Sequence, residues 1–124
     1  MKKPEEKKAF ALAQILPYFK DPTTCGFDSQ NEKCLYLTPD GRMCVAGKNM
    51  LHPEKFGIKS IYYLLIEFSQ SELFKPEAVD ILTQIEWTDL QKIHDSIAHS
   101  NGEMEIFIKK LNLFTYEELI EAAK

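Results

Sequence analysis

Cys34-Leu35-Tyr36-Leu37-Thr38-Pro39-Asp40-Gly41-Arg42-Met43-Cys44-Val45-Ala46-Gly47 is the stretch on which the fold reading turns. It gathers two of the three cysteines, two of the five glycines and the only arginine of the chain. Pro-Asp-Gly is a turn signal, because Pro presets φ at the first corner and Gly accepts positive φ without steric cost. Two short β-prone runs flank it, so the segment reads as a β-hairpin with Asp40-Gly41 at its tip. Leu35 and Leu37 then project from one face of the first strand, Cys34 and Tyr36 from the other. A three-residue loop puts Cys34 and Cys44 on the same face, and a two-residue loop puts them on opposite faces. A lone two-stranded hairpin is marginal in water, so it has to lie on helices or a third strand.

Upstream, Pro4 suits the first turn of a helix, and Glu5 and Glu6 favour its positive end. Ala9, Leu12, Ala13 and Leu16 form an apolar stripe, which Pro17 should end or bend near Leu16. Asp21 to Lys33 reads as a loop. Downstream, Ile58, Ile61, Tyr62 and Leu65, broadened by Leu64, Ile66 and Phe68, predict a helix buried on most sides. A buried strand over Ile61 to Ile66 is the rival reading. Pro76 opens a short helix with Ala78, Ile81, Leu82 and Ile85 in its stripe. Thr88-Asp89-Leu90-Gln91 is a capping-box pattern that predicts a helix from Asp89, with Leu90, Ile93, His94 and Ile97 on its apolar face. That helix should stop at Ser100-Asn101-Gly102, with Gly102 as the left-handed cap. Met104, Phe107, Ile108 and Leu111 mark another helix, and Thr115-Tyr116-Glu117-Glu118 a second capping box. The expected fold is one domain over residues 1–124, α+β but mostly α, with five or six short helices packed on one β-hairpin.

The whole chain has 124 residues, 44% of them hydrophobic and 27% charged, as in an ordinary globular domain. Its net charge of -4, carried against fourteen Lys and a single Arg, speaks against nucleic acid as a partner. The charged start, Met1-Lys2-Lys3-Pro4-Glu5-Glu6-Lys7-Lys8, has no apolar run behind it of the kind a signal peptide needs. Ile61 to Ile66, the longest apolar run, is far too short to span a bilayer. Three cysteines without a C-x-x-C pair suit reduced thiols. The expectation is a cytoplasmic protein that does not engage a membrane.

Cys25, Cys34, Cys44 and His52 are the residues that could supply four zinc ligands, but their separations are wide and none pair at knuckle spacing. Core packing is the stronger account of the thiols, so neither a metal nor another cofactor is expected. A thiolate nucleophile would need a histidine and an orienting acid. Asp95 follows His94 directly on a helix, which splays the two side chains about 100° apart and makes Asp95 a poor orienter. His94 and His99 are five apart and do not form an i, i+4 ligand pair. No catalytic residues are assigned. Asp40 and Arg42, at the hairpin tip, carry the functional expectation: the only guanidinium gripping a carboxylate or phosphate.

The hairpin resembles a motif of small uncharacterised bacterial, prophage and phage proteins, C-x-Y-x-x-x-D-G-R-x-C-x-x-G, later followed by a helix reading L-Q-x-x-H-D. Cys34, Tyr36, Asp40, Gly41, Arg42, Cys44 and Gly47, then Leu90, Gln91, His94 and Asp95, occupy its positions. Lys48-Asn49 departs from it, since relatives more often are apolar there or carry another Cys, which weakens a metal reading. The resemblance implies a small mixed domain encoded by mobile elements and suggests that His94 reaches the turn or the cysteine pair. The leading expectation is a protein-binding module that contacts a host protein or a second copy of itself, as a phage or prophage accessory (host-interaction or anti-defence) protein without catalytic activity. The alternative is a pocket between hairpin and helix, lined by Arg42, Asp40, Tyr36 and His94, that binds a small anionic ligand such as a nucleotide.

Overall fold

The computed structural model describes residues 2–28, 33–57 and 59–124, and six helices form its main elements. They are α1 (Pro4–Lys20), α2 (Ile61–Glu67), α3 (Gln70–Leu73), α4 (Gln84–His99), α5 (Met104–Leu111) and α6 (Tyr116–Ala122). Two-residue strands β1 (Phe27–Asp28) and β2 (Lys33–Cys34) pair antiparallel, with Phe27 opposite Cys34 and Asp28 opposite Lys33. Single 3-10 turns at Pro22–Thr24, Gly47–Asn49, Pro53–Lys55 and Pro76–Ala78 punctuate the connections. Ile58 and residues 29–32 of the expected Asp21–Lys33 loop lie outside the described residues.

The core is built around α4. Trp87, Leu90, Ile93, His94 and Ile97 are buried along it, and α1 contributes Ala11, Ile15 and Tyr18. Trp87 stacks on Phe74 with ring centroids 4.5 Å apart and meets the edge of Phe10 at 5.8 Å. Phe114 and Leu119 are buried around the Thr115 capping box that starts α6.

The expected hairpin from Cys34 to Gly47 is not formed, since residues 35–47 make no ladder. Its turn is present: Gly41 N–H donates to Thr38 O at 3.0 Å and Thr38 N–H to Arg42 O at 2.8 Å, with Gly41 at φ +90°. The two arms then separate. Cys44, Val45 and Ala46 are buried instead against helices, with Tyr18 Oη donating to Met43 O at 2.7 Å and Ala46 N–H to Gln91 Oε1 at 3.0 Å. Burial on two helices satisfies the backbone and the side chains together, which a two-stranded ladder exposed on one face would not.

Other expectations shift as well. α1 runs through Pro17 to Lys20 instead of ending near Leu16. Burial of Tyr18 and its bond to Met43 offset the cost of the proline, about 3 kcal/mol in a helix interior. α2 buries only Ile61 and Leu64, so it is half-exposed and not surrounded. The Pro76 helix is a single 3-10 turn, Pro76–Ala78, capped by extended Val79 and followed by Asp80 at φ +60°. α4 begins five residues before Asp89: Thr83 caps it, its side chain accepting from Glu86 N–H while Glu86 reaches back to Thr83 N–H. Thr88 lies within the helix, donating to Gln84 O at 2.9 Å. At the far end Ser100, at φ +51°, is the left-handed cap, with Gly102 two residues further on.

Candidate functional site

Arg42 and His94, two of the four residues singled out by the sequence, meet on one peptide unit, Cys25–Gly26. Arg42 Nη1 donates to Cys25 O at 3.1 Å, and Gly26 N–H donates to His94 Nε2 at 3.1 Å. The peptide is trans, so its C=O and N–H point in opposite directions and the two side chains hold it from opposite sides. Arg42 and His94 therefore do not face a common cavity. Arg42 Nε also lies 3.0 Å from both carboxylate oxygens of Asp40. The hydrogen bond from Thr38, then that from Arg42, hold the exposed Asp40 carboxyl below its ordinary range.

His94 is fully buried and lies edge-on to Tyr18, ring centroids 4.7 Å apart. Its Nε2 lone pair is taken by Gly26, so the ring proton sits on Nδ1, which donates to Asp95 Oδ1 at 2.9 Å. Asp95 thus does orient His94, contrary to the expectation from their adjacency. The Cα–Cβ bonds diverge, but the carboxyl lies beyond Cβ and folds back to the near edge of the ring. Gln91 Nε2 donates to the same oxygen at 3.0 Å, while its Oε1 holds Ala46 N–H. The L-Q-x-x-H-D helix segment is a set of clamps on the Cys25–Gly26 and Cys44–Gly47 segments.

Two glycines make that joint possible. A Cβ on Gly47 would overlap the Tyr36 carbonyl oxygen and lie 2.7 Å from its carbon. A Cβ on Gly26 would overlap Cys44 N and lie 2.7 Å from Leu35 O. All three cysteines are free. Burial pushes the Cys25 thiol up to about 11 and Cys44 to about 12, and Cys34 is raised by burial and by Asp95. The buried Cys25 and Cys44 thiols pack as small apolar groups, whereas Cys34 is only half-buried.

Cys34, Tyr36, Cys44, Gln91 and Asp95 line one cavity of about 250 Å³, with Lys59 and Lys92 at its wall. Cys34 and Cys44 therefore do share a space. Of the four expected site residues, Tyr36 lines this cavity and Arg42, Asp40 and His94 do not. Tyr36 Oη is bonded to Lys59 O. His52 is exposed beside Glu54. His99, set aside in the sequence for its five-residue spacing from His94, places its Nε2 3.7 Å from Cys34 Sγ and its ring against Phe27 with centroids 4.7 Å apart. The available signal was Asp95-x-x-x-His99, an i, i+4 pair on one helix face. Cys34 Sγ, a His94 ring nitrogen and an Asp95 carboxylate oxygen also lie within 4.8 Å of one another.

On α2, Tyr63 is 64% and Ile66 62% exposed, with Tyr62 beside them at 40%. Gln84 Nε2 donates to Tyr62 O at 2.8 Å, bringing the start of α4 and its 65% exposed Ile85 alongside. Among the described residues no helix is long and apolar enough to cross a membrane. No family model, no curated protein and no solved structure matches the chain.

Proposed function

We propose that this protein is a cytoplasmic binding module without catalytic activity, which docks the exposed side of α2 onto a protein of the host cell. The observation that carries this reading is the apolar strip of Tyr62, Tyr63 and Ile66 left uncovered while the polar motif residues are consumed by internal hydrogen bonds. Tyrosines flanked by aliphatic side chains are the residue types that anchor protein interfaces. The resemblance to proteins of mobile elements supports a host protein as partner and a phage or prophage accessory role. The test is a photo-crosslinking residue placed at Tyr63 in the producing cell. One discrete adduct is expected, retained with Arg42→Lys and lost with Ile66→Asp. An adduct of exactly two chains would reassign the strip to self-association, and no adduct at position 63 would overturn the reading.

A second reading rests on the cavity beside Tyr36: Lys59 and Lys92 outnumber the one carboxylate of its lining, Asp95, which suits a small anion such as a nucleotide. A nucleotide at a hundred times its Kd would stabilise the fold by about 2.7 kcal/mol. A flat thermal-shift screen would remove this reading.

A further inference from the structure

We propose that Cys34, Asp95 and His99 form a binding site for a single zinc-class divalent cation, joining β2 to the last turns of α4. Cys34 Sγ and His99 Nε2 are 3.7 Å apart. A tetrahedral zinc ion with bonds of about 2.3 Å to sulfur and 2.0 Å to nitrogen places those two atoms about 3.5 Å apart, so the pair already stands at ligand separation. Asp95 lies one turn before His99 on the same face of α4, and its carboxylate is within 4.8 Å of Cys34 Sγ.

A His94 ring nitrogen also lies within 4.8 Å of Cys34 Sγ, but the ring has no lone pair to give. Its Nε2 receives Gly26 N–H and its Nδ1 proton goes to Asp95 Oδ1. It acts instead as a positioning residue: together with Gln91 it holds Asp95 Oδ1 and so fixes the carboxylate beside Cys34. Such outer hydrogen bonds are what hold a metal-binding carboxylate in place. Phe27, directly opposite Cys34 in the strand pair, supports the His99 ring.

The mixed sulfur, nitrogen and oxygen donors suit Zn²⁺ or Co²⁺ and disfavour Mg²⁺ and Ca²⁺, which take oxygen ligands. Three protein ligands leave a fourth position, and the cavity that Cys34 and Asp95 line has room for water there. Binding converts the Cys34 thiol to a thiolate, its proton passing to solvent.

Titration of the full chain, reduced, with Co²⁺ tests the site. One equivalent should bind with a thiolate-to-cobalt charge-transfer band that Zn²⁺ displaces. Cys34→Ser should abolish the band, and Cys25→Ser and Cys44→Ser should retain it. His99→Ala should weaken binding about tenfold or more. Because His99 is exposed, that variant should keep the wild-type unfolding midpoint, which separates loss of ligation from loss of fold. Absence of the band, its survival in Cys34→Ser, or indifference to His99→Ala would overturn the site.

Discussion

Gly47 and Gly41 belong to the same motif and serve opposite purposes. Gly41 takes φ +90° in open space, whereas Gly47 permits a backbone-to-backbone contact with Tyr36 that no side chain could share. Gly41→Ala should therefore cost about 1 kcal/mol, the strain of a left-handed residue. Gly47→Ala has to displace backbone and should cost about 3 kcal/mol or more, measured by urea unfolding. Equal costs would contradict the close approach. Lys48, next in sequence, donates Nζ to Gln14 O at 3.0 Å and lies 4.6 Å from the Tyr18 ring centroid. Burial lowers its amine from 10.5 to about 8. The unfolded chain keeps that proton up to about 10.5, so the cost of the buried charge is complete below pH 8 and relieved as pH rises to 10.5. The stability of wild type relative to Lys48→Met should rise across that window, and a flat difference would contradict the burial.

At the scale of elements, capping patterns were legible and their competition was not. Thr115 caps α6 as its pattern predicts, whereas α4 is capped at Thr83 and not at the expected Thr88. Both threonines precede helix-compatible sequence. Thr83 wins because an earlier start brings Trp87 into the core at full burial. Ser69-Gln70-Ser71-Glu72 carries the same pattern and caps α3. Thr83→Ala should cost about 1 kcal/mol and Thr88→Ala less than about 0.5 kcal/mol. The reverse order in thermal unfolding would place the start of α4 at Asp89. Pro17 does not end α1 for a related reason: a local penalty is outweighed by a tertiary bond, Tyr18 to Met43, that spans 25 residues of sequence.

For the molecule as a whole, the helical class and the apolar faces of α4 and α5 followed from periodicity, but α1 buries Ala11, Ile15 and Tyr18 and leaves the expected Ala9 and Ala13 exposed. The Asp-Gly turn followed from residue type. The path of the chain after that turn did not, because it depends on helices far away in sequence. The clamp on Cys25–Gly26 joins residues 42 and 94 to residues 25 and 26, and no local pattern reports such a meeting. The i, i+4 relation of Asp95 and His99 was legible, but Cys34 enters their site only through tertiary structure. The central claim is that the motif's arginine and histidine hold a joint of the fold. It stands most directly on the His94 ring, where ¹⁵N NMR locates the proton. The account requires the proton on Nδ1 and a hydrogen bond from Gly26 N–H to Nε2; a proton on Nε2 would contradict it.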